Sequence, residues 1–222
     1  SPFPSDLEAV RQQLQDQHTV LQQLTMDTDR WEKKPTLKLL QDQTSVLPLL
    51  GTLHANARRR EAQERYDVAA LFSYRCLELM SQHRLATWGL LTDQPDYRPL
   101  RQRIPDLDER YRVVEARLFD HSRGLPHRKS GISLFNGYML LDALNDPLVQ
   151  GVALEKIRER TRVRNQSMLA HGFRLITLAE YAPFRDVVGE ILDRFFVVLE
   201  DERLHWEQTY QFVCPFAAEE EH

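Results

Sequence analysis

The sequence predicts an all-α protein, a helical bundle, and three observations carry that prediction. Only eight glycines occur in 222 residues. No run of alternating β-branched residues is present, so nothing reads as a half-buried strand. Apolar residues recur instead at three- and four-residue steps, the period of a helix with one buried face.

The first such stretch follows Ser5 and Asp6, either of which can cap a helix, with Leu7, Val10, Leu14, Leu21 and Leu24 on one narrow seam. A seam this narrow, broken at Gln17, suits a connecting or coiled-coil-like helix. Pro35-Thr36 breaks it. A second apolar stretch (Leu37, Leu39, Leu40, Val46, Leu47) leads to Pro48 and Gly51. Residues 1–50 are therefore expected to be connecting helices, and 51–222 the main helical domain.

From about Thr52 to Leu91 the pattern predicts two helices, broken near "QERYDVAA", with Asp67 as N-cap. "TDQPDYRPLRQRIPD" holds three prolines and is expected to be a loop. Asp106 then starts a helix containing Tyr111, Val114 and Leu118. "HSRGLPHRKSG" (121–131) reads as a mobile basic loop, and "ISLFNGYMLLDAL" as an apolar helix. "NDPLVQG" predicts a cap with Pro147 at the first helical position. A last amphipathic helix is expected over roughly Phe184 to Tyr210, before the acidic tail "AAEEEH". No internal repeat of the solenoid type is present.

Bulk properties exclude some function classes. The length supports one sizeable core or one domain with an appended element. Hydrophobic content of 42% and charged content of 28% are ordinary for a soluble globular protein. A net charge of −4 gives no global case for a nucleic-acid binder, although phosphate affinity depends on local patches. Two cysteines, Cys76 and Cys214, with no CxxC or Cys/His cluster, argue against structural zinc or a disulfide framework and fit a reducing cytoplasm. Neither a membrane-spanning apolar run nor a signal-peptide pattern occurs, so no membrane partner is expected. The chain opens on Ser1 rather than methionine, and an excised piece of a longer protein is the expectation.

One stretch carries chemistry. "TRVRNQSMLAHGFR" places Arg164 and His171 seven residues apart. Spacing alone decides nothing: 24 arginines and eight histidines supply roughly two or three such pairs by chance, and Arg11…His18 is another. Context separates the two. A seven-residue step returns to nearly the same helix face, and Leu154, Ile157, Thr161, Arg164, Met168 and His171 form one continuous alternation. Arginine is rarely buried without a partner, so that face meets acidic groups, a polar cleft or a second chain. Gly172 ends the helix, leaving His171 in a last turn that favours imidazolium. Arg11 and His18 lie on the flank of the first seam and read as solvated surface. From the residues alone, a satisfied arginine at a helix contact with a helix-end histidine stands ahead of a functional pair.

"RYDVAALFSYRCLELMSQHRL" (65–85) shows a similar anomaly. Arg75 falls near the centre of a stripe of Val68, Leu71, Phe72, Leu79 and Ala86, with Glu78 at the i+3 pairing position and Gln82 beside it. The anomaly suggests a buried polar cluster of Arg75, Glu78 and Asp67, with Glu78 or Asp67 near Arg164. For Arg75 and Glu78 taken alone, a structural Arg–Glu pair stands ahead of that reading.

"RVRNQSMLAHGF" resembles the Arg-Asn-x5-His-Gly form of the HEPN ribonuclease motif. "ANARRREAQERYDVAALFSYRCLELMSQHRL" and "LFNGYMLLDAL" are similar to the preceding helices of the CRISPR-associated CARF–HEPN proteins of type III systems. The likeness spans about residues 52–175. It implies a dimeric HEPN effector domain that cleaves single-stranded RNA without metal or other cofactor, in antiviral defence. Cyclic oligoadenylate would act only through a CARF sensor domain, and no such β/α domain is present in this chain. The resemblance implies Arg164 and His171 as catalytic residues, with Asn165 orienting the phosphate or the 2′-hydroxyl. Arg123, His127, Arg128 and Lys129 of the basic loop are candidate RNA contacts, although an ordinary solvated loop stands ahead of that reading. A catalytically inactive helical dimerisation or interaction module is the alternative for the whole chain.

Overall fold

The computed structural model describes residues 35–120, 122–166, 175–201 and 203–210, with parts of 8–22. Among these residues the secondary structure is helical, with no strand. Helix α1 (Leu37–Gln41) and α2 (Gln43–Ala62) are followed by α3 (Tyr66–Thr87), α4 (Arg98–Arg103) and α5 (Leu107–Leu118). Then come α6 (Leu134–Ala143), α7 (Leu154–Gln166), α8 (Leu178–Leu199) and α9 (Arg203–Tyr210). The all-α bundle expected from the period of the sequence is the observed fold.

Helix α3 is its axis. It packs against α1, α2, α6, α7 and α8, and its buried face carries Ala69, Ala70, Ser73, Cys76, Leu77 and Met80. Burial of this face raises the Cys76 thiol to about 12, so it stays protonated and acts as a small apolar group. Gly137 of α6 lies so close to α3 that an added methyl would fall on the Ser81 hydroxyl. Tyr138, one residue on, donates to the Leu77 carbonyl at 3.1 Å. The His83 ring, also on α3, meets the Leu40 carbonyl through Nδ1 at 2.6 Å and Phe195 edge-on.

Several boundaries differ from expectation. Pro48 and Gly51 lie inside α2 rather than ending a lead-in, and the expected division at 50/51 falls within that helix. Leu40, Val46, Leu47 and Leu50 join the same core cluster as α3 and α8. An interior proline costs about 3 kcal/mol, and burial of three aliphatic side chains around it offsets that. A short helix, α4, forms inside the proline-rich "loop", with its proline in the first turn, where no N–H is needed. Residues 147–151 form turns instead of a helix start, and α7 begins at Leu154. The long last helix is two, broken at Glu200.

Four helix ends share one closure. Leu90, Arg65, Asp146 and Asp201 each return their N–H to a carbonyl five residues back, around a left-handed residue: Gly89, Glu64, Asn145 and Glu200. This is the Schellman arrangement, built twice on glutamate.

Candidate active site

Helix α7 carries the start of the motif, Arg164 and Asn165. Leu154, Ile157 and Thr161 are buried, and the Thr161 hydroxyl folds back onto the Ile157 carbonyl at 2.8 Å. The core-facing stripe expected for this helix is therefore real as far as Thr161, and Arg164 is its next member. Arg164 and Asn165 lie in the last turn of the α7 backbone; their side chains, and His171 altogether, lie outside the described residues. Arg158, on another face, donates to the Leu118 carbonyl at 2.7 Å and stacks 4.2 Å over the Phe119 ring. These contacts fix the middle of α7 against the end of α5.

The chain re-enters the described structure at Leu175. The Ile176 N–H donates to Asp67 Oδ1 at 3.1 Å, tying the exit of the motif segment to the first turn of α3, where the helix dipole favours a carboxylate. Asp67 is thus not the N-cap. Arg65 holds that position without a side-chain capping bond. A capping box of Thr177 and Glu180 then starts α8. Leu175 and Leu178, on either side of the tether, are exposed.

Arg75 and Glu78 do form an ion pair, but Arg75 is not buried. Its side chain is 52% exposed, because α3 turns the 71–75–78–82 face outward between α2 and the loop before α6. Asp67 is eight residues from Arg75, about 12 Å along the helix. The supporting residues therefore form two features rather than one buried cluster. Asp67 holds the return of the motif segment, and the Arg75–Glu78 pair lies on an open face.

The basic loop is anchored at its start. A single Glu115 oxygen accepts from the Ser122 hydroxyl (2.6 Å), the Arg123 N–H (2.7 Å) and the Gly124 N–H (2.8 Å), and Glu115 is itself buried. The side chains of Arg123, His127, Arg128 and Lys129 are exposed beyond this anchor. No local pattern signals Glu115's role, since a carboxylate in a charged helix usually faces water.

A second feature escaped the sequence. Asp146, wholly buried, accepts from Arg84 Nη2 (2.8 Å), Arg84 Nε (3.1 Å), Trp88 Nε1 (2.8 Å) and the Leu148 N–H (3.0 Å). Arg84 and Trp88 lie about sixty residues away at the end of α3, and no local signal marks them. Among the described residues no group of three or more His, Cys, Asp or Glu side chains is placed to hold a metal ion. No described helix is long and apolar enough to cross a membrane.

The family described as the Csm6 HEPN domain matches residues 38–194. That is more than two thirds of the chain, and it contains α2 through α7 and the whole Arg164–His171 stretch. No curated protein matches the chain. The chain belongs to the Csm6 HEPN domain family.

Proposed function

We propose that this chain is a metal-independent endoribonuclease that cleaves single-stranded RNA at a site shared between two copies. Family membership supports a ribonuclease-type function in general. The observation that carries the finer reading is the course of α7, whose buried stripe of Leu154, Ile157 and Thr161 leads directly to Arg164.

The chemistry needs little from the protein. The 2′-oxygen of the RNA attacks the adjacent phosphorus as its proton leaves, and the bond to the 5′-oxygen breaks as that oxygen gains a proton. The products are a 2′,3′-cyclic phosphate and a 5′-hydroxyl. A fixed cation stabilises charge building on the phosphoryl oxygens, the role of Arg164, whose guanidinium matches phosphate geometry. A group titrating near neutrality moves the protons, the role of His171. Asn165 orients the phosphate or the 2′-hydroxyl.

Two copies complete the site. The exposed Leu175 and Leu178, beside the Asp67 tether, supply apolar surface next to the motif that a second copy would cover. Where such a domain is joined to a CARF domain, cyclic oligoadenylate bound there would control the alignment of the two copies, in antiviral defence.

The test is cleavage of labelled single-stranded RNA in the presence of EDTA across a dilution series. Cleavage that survives chelation and falls more steeply than protein concentration below the dimer's dissociation constant is expected. Loss of all cleavage on chelation, or a rate strictly proportional to concentration throughout, overturns this reading.

A further inference from the structure

A groove of about 450 Å³ lies on the open face of α3, within the size range of small-ligand sites. Its apolar floor is Leu49 and Leu53 of α2, Leu79 of α3 and Ile132. Its walls bring hydrogen-bonding side chains: Gln82, Thr92, Ser130 and Ser133. Arg75 stands in it, half exposed, with its Nη1 on Glu78. The ion pair orients the guanidinium and leaves the other donors of its fork for a ligand.

The closed end is rigid. The Ile132 N–H donates to the Thr92 carbonyl at 2.7 Å. Gly131, at φ +68°, packs so tightly that a Cβ would sit 2.9 Å from the same carbonyl oxygen. Glycine alone satisfies both the left-handed backbone and this close approach. The lip of the groove continues directly into His127, Arg128 and Lys129, all exposed. The 121–131 segment contains no acidic residue. Asp93 is the one carboxylate among the lining side chains of the described groove.

We infer that this groove seats a nucleotide of single-stranded RNA, its base on the aliphatic floor and its phosphates between Arg75 and the Arg128–Lys129 lip. An unstacked base needs apolar surface and hydrogen-bond partners, and its backbone needs cations. The groove supplies all three on fixed elements. A duplex, with its bases stacked inside, has no base to offer the floor. The inference rests on and deepens the ribonuclease reading, since it names a second place where the same RNA would be held.

The test is fluorescence-anisotropy titration of a labelled single-stranded RNA, using the full chain carrying His171→Ala so that the probe survives. Arg75→Ala with Lys129→Ala is expected to weaken binding tenfold or more. The slope of log affinity against log salt should fall by about 1 to 2. Arg110→Ala, which removes a cation paired to Asp106 away from the groove, should change neither. Photo-crosslinking of 4-thiouridine RNA should label peptides from 127–133 or from α3. Unchanged affinity and salt slope overturn the inference, as does weaker binding that tracks a loss of dimer mass or equal affinity for an acidic peptide. If wild-type protein cleaves RNA while the groove variants bind normally, only the groove assignment falls. If groove binding holds and wild-type protein cleaves nothing, only the ribonuclease reading falls.

Discussion

Arg84→Met probes the node that fastens α3 to the turn from which α7 departs. Asp146 is 0% exposed and Arg84 14%. Methionine keeps the aliphatic length and removes the guanidinium. The carboxylate then retains only the Trp88 and Leu148 N–H donors. Breaking a buried pair from one side costs about 3–5 kcal/mol, because the remaining charge is left uncompensated. The partial exposure of Arg84 places this case at the lower end, about 3 kcal/mol. For a chain of this size each kcal/mol moves Tm by about 2–4 °C, so a fall of about 6–12 °C is expected in a thermal melt, with a matching shift in the urea midpoint. Asp146→Leu combined with Arg84→Met should recover only part of the loss, since Trp88 Nε1 and the Leu148 N–H lose their acceptor. A loss below about 1 kcal/mol for Arg84→Met would refute the reasoning, since the node would then be solvated in solution.

Three further outcomes follow from particular contacts. Gly137→Ala should destabilise by about 1–3 kcal/mol through overpacking, and Ser81→Ala should relieve most of that in a double-mutant cycle, because the clash is with the hydroxyl. Burial, with added repulsion from Arg203, holds His54 down to about 4, although Glu207 3.9 Å away opposes this. The fold thus favours the neutral ring, and its stabilisation is complete above about pH 6.5 and lost progressively as pH falls toward 4. That amounts to about 3 kcal/mol, and His54→Leu should flatten the stability–pH curve in that window; an unaltered curve would contradict the burial argument. Asp67→Ala leaves the buried Ile176 N–H without its acceptor, at about 1–3 kcal/mol. Cleavage should drop beyond what stability explains, while Asp67→Asn, which keeps an acceptor oxygen, restores most of it.

The parts of this fold that depend on period were legible in the sequence. The buried stripe of α7, the start of α5 after Asp106 and the Arg75–Glu78 pair all depend on neighbours within a turn or two, and all three appear. Elements decided by distant contacts were not legible. Pro48 and Gly51 read as stops locally, but the burial of Val46, Leu47 and Leu50 carries α2 through them. Conversely, Glu200 reads as ordinary helix, and only its left-handed backbone ends α8. Asp146 reads as a cap because its ligands on α3 are invisible from its own segment. Arg75 was expected inside because an arginine amid apolar residues suggests burial. That stripe is in fact divided: Leu79 and Ala86 join the core, while Val68, Leu71 and Phe72 are only part-buried and Arg75 falls on the open side.

For the site, the sequence marked the motif and the structure adds its supports: Thr161 and Arg158 fixing α7, and Asp67 fixing the return at Ile176. The anchoring of the basic loop by Glu115 was equally unreadable, since three of its bonds come from residues seven to nine positions ahead in a loop of undetermined course.

The most direct test of the central proposal is the chemistry of the RNA ends. RNA incubated in EDTA with purified wild-type chain, with Arg164→Ala and with His171→Ala is analysed for terminal groups, alongside a melt of each protein. Wild-type protein should leave 2′,3′-cyclic phosphate and 5′-hydroxyl ends. Each variant should melt as a folded protein and cleave about a hundredfold more slowly or less. Equal activity in folded variants, or 3′-hydroxyl ends from the wild type, would contradict a reaction carried by Arg164 and His171.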